Sequence, residues 1–286
     1  MAISDPAKAA AVTTVVISRN RKEELRASLP RHQRPVVLVD NGSTDGTAEM
    51  VARDHPDVDL VALPANAGAQ ARNLGVERAR TPYVAFADDD SWWAPGALAT
   101  AQQILDTHPR IGLLAGRILL RAEEVEDPLC AVMALSPLAG DDELPGRPIL
   151  GFAACGAVVR RETFLAVGGF DEVIFFAGEE ARVALDLAAE GWAMRYVPEL
   201  VVHHHPSTQR RRNGRTALIA RNAILTAVMR RPWPVVLKQA TGTLTAPGGA
   251  GAVASALPRI PAALQARRRV PAEVETQLRL LEWWQA

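Results

Sequence analysis

Residues 83–93 read YVAFADDDSWW, an apolar run that ends in three consecutive aspartates and two tryptophans. A short apolar run bounded by polar residues is typical of a buried strand in a parallel sheet. Ligands of parallel α/β sheets bind beyond the carboxyl ends of the strands, which is where Asp88, Asp89 and Asp90 would lie. The stretch therefore predicts an α/β fold with a candidate site at this strand end.

The flanking sequence extends the same pattern. Strand-like runs at 13–18, 35–39, 58–62 and 111–120 are separated by helix-like segments, which predicts a mostly parallel central sheet flanked by helices. Residues 121–150 hold acidic residues and prolines with little periodicity, so we expect a long loop there. We expect a catalytic domain over 1–206 and a basic helical extension over 207–286.

Composition excludes several classes of protein. The 286 residues are 48% hydrophobic with a net charge of zero, which excludes a mainly disordered chain. Two cysteines exclude a disulfide framework and favour a reducing compartment. The sequence shows neither a basic, apolar leader nor the ~20 unbroken apolar residues of a membrane span, so a cytoplasmic location is expected.

The zero net charge hides an asymmetry between the two parts of the chain. Residues 1–200 hold 19 Lys+Arg and 29 Asp+Glu, a net of −10, whereas residues 201–286 hold 13 and 3, a net of +10. A basic tail of this kind either packs on the acidic body or lies on an anionic membrane surface. We expect packing on the body, with at most peripheral, salt-sensitive contact at the inner face of the membrane. Nucleic acid is not expected as a partner, because the arginines are not interleaved with aromatic residues.

The aspartate triplet suggests a metal site. Adjacent carboxylates repel, and clustering them is favourable mainly when a cation neutralises them. In an extended segment Asp88 and Asp90 point to the same side and can share one Mg²⁺ or Mn²⁺. His203 and His205 follow a later strand and share a face by the same alternation, so they are the expected histidine ligands. A solvated surface loop is the alternative for the aspartates.

No glycine-rich loop of the GxxxxGK[ST] or GxGxxG type occurs in the chain, so the usual phosphate-binding loops are absent. Any phosphate must then be held by metal and basic side chains, and Arg72, within NAGAQARNLG, is the internal candidate. Asp40-Asn41-Gly42-Ser43 after the second strand is either a binding loop or an ordinary turn.

Six segments occur in an order and at a spacing that resemble a known family. They are VVISRNR, VLVDNGSTDGT, NAGAQARNLGV, YVAFADDDSWW, GFAACGAVVRRETFLAVGGFDE and AGEEARVALDLAAEGW. Over residues 12–231 the chain resembles the family 2 inverting glycosyltransferases of GT-A fold, in the bacterial branch of rhamnosyl- and galactofuranosyl-transferase-like enzymes. Such enzymes take part in cell-surface polysaccharide biosynthesis.

The resemblance implies roles for individual residues. It places nucleotide-sugar contacts at Ser18, Asn20, Asp40, Asn66, Gly68, Arg72, Asp88 and Asp89. It places the metal-binding DxD motif at Asp88 and Asp90, and an acidic pair at Glu179 and Glu180, whose second member is the usual general base. Acceptor contacts are expected at Trp92, Trp93, Gly156 and Asp171. The family's Asp-then-Arg order four residues apart is reversed here to Arg182 and Asp186, and an i,i+4 ion pair is expected to survive.

The resemblance and the residues together predict a glycosyltransferase. It would move a sugar from a nucleotide-sugar, most simply a UDP- or dTDP-sugar, to a hydroxyl of a glycan, lipid-linked or small-molecule acceptor, with inversion. A catalytically degenerate binding or scaffold protein of the same fold is one alternative. A nucleotidyltransferase is another, although Ser18-Arg19-Asn20-Arg21 lacks the glycines of a triphosphate loop.

Overall fold

A computed structural model describes residues 11–207 and 214–285, so Arg210–Arg212 of the predicted basic extension lie outside the described residues. Ten strands form one curled sheet in the order β3-β2-β1-β4-β9-β6-β10-β5, with β7 on β6 and β8 on β10. The strands are β1 (Val12–Ser18), β2 (Val36–Asp40), β3 (Asp59–Ala62), β4 (Tyr83–Asp88), β5 (Ser91–Trp93), β6 (Ile111–Leu120), β7 (Val125–Glu126), β8 (Arg147–Pro148), β9 (Ala157–Arg160) and β10 (Ala193–His204).

Helices cover the sheet and continue beyond it. They are α1 (Lys22–Ser28), α2 (Thr47–Asp54), α3 (Ala71–Arg78), α4 (Ala97–Thr107), α5 (Pro128–Ala134), α6 (Arg161–Ala166), α7 (Glu180–Ala189), α8 (Arg215–Arg230), α9 (Trp233–Thr245), α10 (Gly249–Ala256), α11 (Ile260–Gln265) and α12 (Ala272–Gln285). The predicted α/β architecture with a helical C-terminal extension is therefore confirmed.

The first half of the sheet is parallel and brings its strand ends together. Strand β1 pairs in parallel with both β2 and β4, and β2 pairs in parallel with β3. The register sets Ser18 opposite Asp40 and Ile17 opposite Asp88. The polar residues that close these strands consequently meet at one edge, as the sequence predicts.

The second half of the sheet mixes directions. Strand β9 is antiparallel to both of its neighbours, β4 and β6, while β10 runs parallel to β6 and antiparallel to β5. The pairing of β10 with β5 sets His204 opposite Ser91, just after the three aspartates. Strand β10 thus returns to the strand end from which the site is built.

Residues 121–150 are not the long loop expected from the sequence. They contain β7, α5 and β8, and helix α5 buries Cys130 and Met133 against the sheet. Asp127 caps the helix by accepting a hydrogen bond from Leu129 N at 2.9 Å, with Pro128 in the first helical position. A capping aspartate followed by proline is a helix-start signal, which the acidic and proline content of the segment obscures.

The C-terminal helices pack on the body of the molecule. Apolar residues of α8, including Ile224, Leu225 and Val228, share a buried cluster with Val173 and Ile174 of the body. The expected α7 pair, Arg182 with Asp186, is present, and Arg230 of α8 also donates to Asp186, with Nη2 to Oδ2 at 2.9 Å. Helix α8 of the tail therefore packs on the body, as expected. The domain boundary at 206/207 stays a prediction.

Candidate active site

A pocket of about 580 Å³ opens at the edge where β1, β2 and β4 end. Of the predicted nucleotide-sugar contacts, six line it: Ser18, Asn66, Gly68, Arg72, Asp88 and Asp89. The Oγ of Ser18 is buried and has no hydrogen-bond partner among the described residues, so it is available to a ligand. Segments far apart in the sequence thus converge on a single cavity of the size that small-molecule sites have.

Asp40 and Asn20, also predicted as nucleotide contacts, shape the rim of the pocket. Asp40 Oδ1 accepts a hydrogen bond from Ser43 N at 3.1 Å, and Asn20 Oδ1 accepts one from Thr44 N at 2.7 Å. Both side chains therefore fix the loop after β2, which is the turn role that the sequence left open beside binding. Their contact with a nucleotide stays a prediction.

Asn41 was missed as a site residue, although the sequence marks it as part of a polar strand end. Its Nδ2 donates to Asn66 Oδ1 and to the Gly68 carbonyl, both at 3.0 Å, and its Oδ1 accepts from Ala67 N at 2.7 Å. One buried amide thus ties the segment that precedes α3 to the end of β2. A polar residue at a strand end was the available signal.

The candidate metal ligands are Asp88, Asp90 and His204. One ligand atom from each lies within 4.8 Å of the others. Asp90 Oδ1 and His204 Nε2 are 3.2 Å apart, and both atoms are buried without a hydrogen-bond partner among the described residues. Two carboxylates and an imidazole suit Mn²⁺, and two unsatisfied buried atoms facing one another are what a ligand set needs. The residues therefore fit a divalent cation.

The expectation that His203 and His205 are the histidine ligands is wrong. His203 Nδ1 lies 3.3 Å from Glu124 Oε1, and both flanking rings contact Trp92, at centroid distances of 5.5 Å for His203 and 4.7 Å for His205. The reason is a bulge, because β10 leaves its pairing with β6 at Val197 and resumes it at Val201. Three unpaired residues are an odd insertion, which reverses the face that the following side chains take.

The two tryptophans after the aspartates have different environments. Trp93 is 3% exposed and donates from Nε1 to the Phe86 carbonyl at 3.1 Å, so the expected acceptor contact is wrong for this residue. Trp92 is half-buried, and the guanidinium of Arg31 lies 4.3 Å from the centre of its ring. Alternation along β5 turns one ring into the core and the other outward.

Gly156 and Asp171, the other expected acceptor contacts, have partners within the protein. A Cβ at Gly156 would meet the Ile118 side chain at 3.0 Å, so the glycine allows close packing. Asp171 Oδ1 accepts from Val173 N at 2.7 Å, and its Oδ2 lies 3.8 Å from Arg182 Nε. The structure gives both residues a packing or turn role, and contact with an acceptor stays a prediction.

Arg72 links the aspartates to the acidic pair. Its Nη2 donates to Asp88 Oδ1 at 2.6 Å, and its Nη1 lies 3.4 Å from Glu179 Oε1. Burial opposes the positive charge, but Asp88 and Glu179 outweigh it and raise the pKa of the Arg72 guanidinium above its ordinary value. The side chain is 4% exposed, so it is a permanently charged group at the wall of the pocket.

Glu180 opens α7 beside this cluster. Its Oε1 accepts a hydrogen bond from Ala154 N at 3.3 Å. Burial, together with the neighbouring Glu179, raises the pKa of the Glu180 carboxyl from 4.5 to about 7. A carboxylate tuned near neutrality is suited to accept a proton during a reaction. Glu179 is more deeply buried, and its Oε1 forms an ion pair with Arg72.

The segment before the acidic pair has an unusual backbone. Phe175 and Ala177 have φ of 66° and 70°, a conformation that is costly for residues other than glycine. The Phe175 carbonyl accepts from Ala69 N at 2.6 Å, and a Cβ at Gly68 would meet that same oxygen at 2.2 Å. Only glycine at position 68 allows this approach, which links the start of α3 to the acidic pair.

The C-terminal extension holds the other side of this segment. Asn222 Nδ2 donates to the carbonyls of Phe176 and Ala177 at 2.7 and 2.6 Å. Arg221 Nη2 donates to the Ile174 carbonyl at 3.0 Å, and Arg259 Nη1 to the Val173 carbonyl at 2.8 Å. Arg221 and Arg259 also line the pocket. Sequence reasoning missed these residues, because no local pattern shows where a distant helix will dock.

These features define a class. A curled central sheet flanked by helices is the GT-A fold, which glycosyltransferases of known structure share with this chain. The model of Glycosyl transferase family 2 matches residues 13–167, more than half of the chain, and the protein belongs to that family.

Individual relatives agree with this assignment. The chain is 28% identical over 222 residues to N-acetylglucosaminyl-diphospho-decaprenol L-rhamnosyltransferase of Mycobacterium tuberculosis, covering 66% of this chain and 72% of that protein.

Solved structures share the fold. A mannosyltransferase from Pyrobaculum calidifontis, in complex with GDP-Man and Mn²⁺, matches 98% of this chain and 81% of its own length, with 21% identity and a TM-score of 0.59. Residues 1–349 of S. aureus TarS, in complex with UDP-GlcNAc, match 87% of this chain and 72% of theirs, with 17% identity and a TM-score of 0.58. Against a longer TarS chain the match spans only 39% of that chain.

Proposed function

We propose that this glycosyltransferase moves a sugar from a UDP- or dTDP-sugar to a hydroxyl of a lipid-linked glycan acceptor, with inversion at the anomeric carbon. The observation that carries the proposal is Arg72, whose guanidinium joins Asp88 to Glu179 at the wall of one pocket. Through it, the candidate site for the departing diphosphate is joined to Glu179, the neighbour in sequence of the candidate proton acceptor Glu180. The names of relatives that use a diphospho-decaprenol acceptor or bind UDP-GlcNAc support the substrate classes.

A divalent cation would be held by Asp88, Asp90 and His204. It would neutralise the charge that develops on the diphosphate as that group departs from the sugar. Arg72 adds a fixed positive charge at the same wall. Ser18 and Asn66 offer hydrogen-bonding groups to the nucleotide, and Gly68 lines the same pocket.

Glu180 would accept the proton of the attacking hydroxyl. Its raised pKa keeps it ready to bind a proton near neutral pH, and burial and the neighbouring Glu179 are the causes of that shift. One proton acceptor is enough for direct displacement, in which the hydroxyl attacks the anomeric carbon from the side opposite to the departing diphosphate. Such an attack inverts the anomeric centre.

Binding of nucleotides to the folded protein tests the donor class. Thermal unfolding is measured with UDP, dTDP and GDP, each with Mn²⁺ and with EDTA. A nucleotide at 100 times its dissociation constant adds about 2.7 kcal/mol to the free energy of unfolding, which gives a clear rise in melting temperature. We expect that rise for UDP or dTDP with Mn²⁺. No rise with any nucleotide would favour a degenerate scaffold and contradict the proposal.

A further inference from the structure

Helix α9 presents an apolar stripe to the surface. Trp233, Leu237 and Leu244 are 52%, 64% and 54% exposed. Their spacing of four and seven residues places all three on one side of the helix. Single exposed leucines are common on proteins, but a tryptophan and two leucines in line on one helix form a continuous apolar surface.

The stripe is separate from the contacts that hold the helix in place. Val236 and Thr243 are the buried residues of α9, and α9 packs on α8 and α10. Leu257 and Leu264, farther along the extension, are also exposed. The helix is therefore anchored along one side and open along another.

The sequence around α9 is basic. Between Glu199 and Glu273 the sequence holds twelve arginines and lysines and no aspartate or glutamate. Lys238 is exposed on α9 itself, and Arg269 is exposed after α11. The guanidinium of Arg267 lies over the ring of Trp233, 4.2 Å from its centre. Arg267 thus borders the apolar stripe at Trp233, and Lys238 lies on the same helix, beside a pocket that Glu282 also lines.

We infer that the stripe of α9 (Trp233, Leu237 and Leu244) docks on an anionic lipid surface. Apolar residues with a tryptophan, flanked by arginine and lysine, are the composition of helices that lie in the membrane interface. A second copy of this chain in a symmetric contact is a poorer occupant, because it would bring the same basic extension against this one. No helix of the described chain is long and apolar enough to cross a membrane.

The docking surface is connected to the pocket. Helix α8, on which α9 packs, supplies Leu218 and Arg221 to the pocket wall, and Arg259, between α10 and α11, adds to it. A bilayer against α9 would therefore hold the active site near lipid headgroups. This inference rests on the proposed function, because a lipid-linked acceptor would be presented at that surface.

Vesicle co-sedimentation tests the inference. The full chain is mixed with vesicles that contain roughly one-third phosphatidylglycerol in phosphatidylcholine, or phosphatidylcholine alone, at ~0.15 M salt. We expect clear pelleting with the anionic vesicles and much less with the neutral ones. The variant Leu237→Ser/Leu244→Ser should weaken binding by at least about tenfold, since each exposed leucine loses its transfer into lipid.

Leu135→Ser is the matched control. Leu135 is 66% exposed on the body, outside the extension, and its replacement should leave vesicle binding unchanged. Equal loss in both variants, or no pelleting of the wild type, overturns the inference. A wild-type dimer that the double variant converts to a monomer also overturns it, because the stripe would then be a self-association surface. The UDP-induced rise in melting temperature without vesicles should be equal in all three proteins, which keeps this outcome distinct from failure of the proposed function.

Discussion

His204 Nε2 lies 3.2 Å from Asp90 Oδ1, and within the described residues neither of these buried atoms has a hydrogen-bond partner. A carboxylate oxygen and an imidazole nitrogen are both ligand atoms that divalent transition metals take, and here they face one another beside Asp88. His204 comes 114 residues after Asp90 in the sequence. The pairing of β10 with β5 brings its imidazole to the aspartate. The arrangement explains why a metal site is expected at this edge of the sheet.

His204→Ala should weaken Mn²⁺ binding by at least about tenfold, because even groups that only support a metal ligand contribute 10–100-fold to affinity. His203→Ala is the control, since His203 contacts Glu124 and Trp92 instead. Calorimetric titration of each variant with Mn²⁺ measures the difference. Unchanged affinity in His204→Ala, with a loss in His203→Ala, would restore the alternation expected from the sequence.

Glu180→Gln should lower turnover by roughly 10²–10⁴-fold, because glutamine keeps the shape but cannot accept the proton. In the wild type, turnover should rise with pH up to about 7, as the carboxyl ionises, and then level off. Steady-state rates over a pH series measure this. Glu179→Gln is the comparison, and if it alone is inactive, the base has been assigned to the wrong member of the pair.

The same carboxyl should also affect stability. Its pKa is raised from 4.5 to about 7 on folding, so the folded state binds the proton more tightly than the unfolded state. The stability that this provides is complete below 4.5 and is lost as the pH rises toward 7. Glu180→Gln should therefore raise the melting temperature relative to wild type at about pH 8 and not at about pH 4. A gain of equal size at both values would contradict the shift.

Gly68→Ala should destabilise the fold by about 1–3 kcal/mol, because alanine is strained at a φ of 63° and its Cβ would meet the Phe175 carbonyl. The same change should lower turnover by moving the segment before Glu179. Gly151→Ala is the matched control, since a Cβ there meets nothing within 4 Å. Urea unfolding of both variants measures the effect, and equal stability in the two would show that the close approach at Gly68 is unimportant.

Arg72→Met should destabilise the protein by about 3–5 kcal/mol, because it leaves the buried Glu179 and the partly buried Asp88 without this cation. Adding Glu179→Gln should recover part of the loss, since one of those charges is then removed. Urea unfolding of the single and double variants gives the coupling. If the second substitution adds a further full loss of its own, Arg72 and Glu179 do not interact in the way their contact indicates.

The sequence predicted the parts of the fold that depend on local pattern. Strand β4 and its aspartates follow from an apolar run and its polar end, and α7 begins at the predicted acidic pair. His204 was missed because the bulge between Val197 and Val201 has no signal that sets its length. Arg221 and Asn222 were missed because their contacts with residues 174–177 join segments more than forty residues apart, and only tertiary packing brings them together.

The most direct test of the account is nucleotide release from a UDP- or dTDP-sugar with an acceptor extract, measured for the wild type with Mn²⁺, the wild type with EDTA, and Asp90→Ala with Mn²⁺. We predict turnover only in the first case. The melting temperature of Asp90→Ala should stay close to that of the wild type in EDTA, which shows that the variant is folded. Full turnover in EDTA or in Asp90→Ala would contradict the claim that a metal at Asp88, Asp90 and His204 serves the transfer.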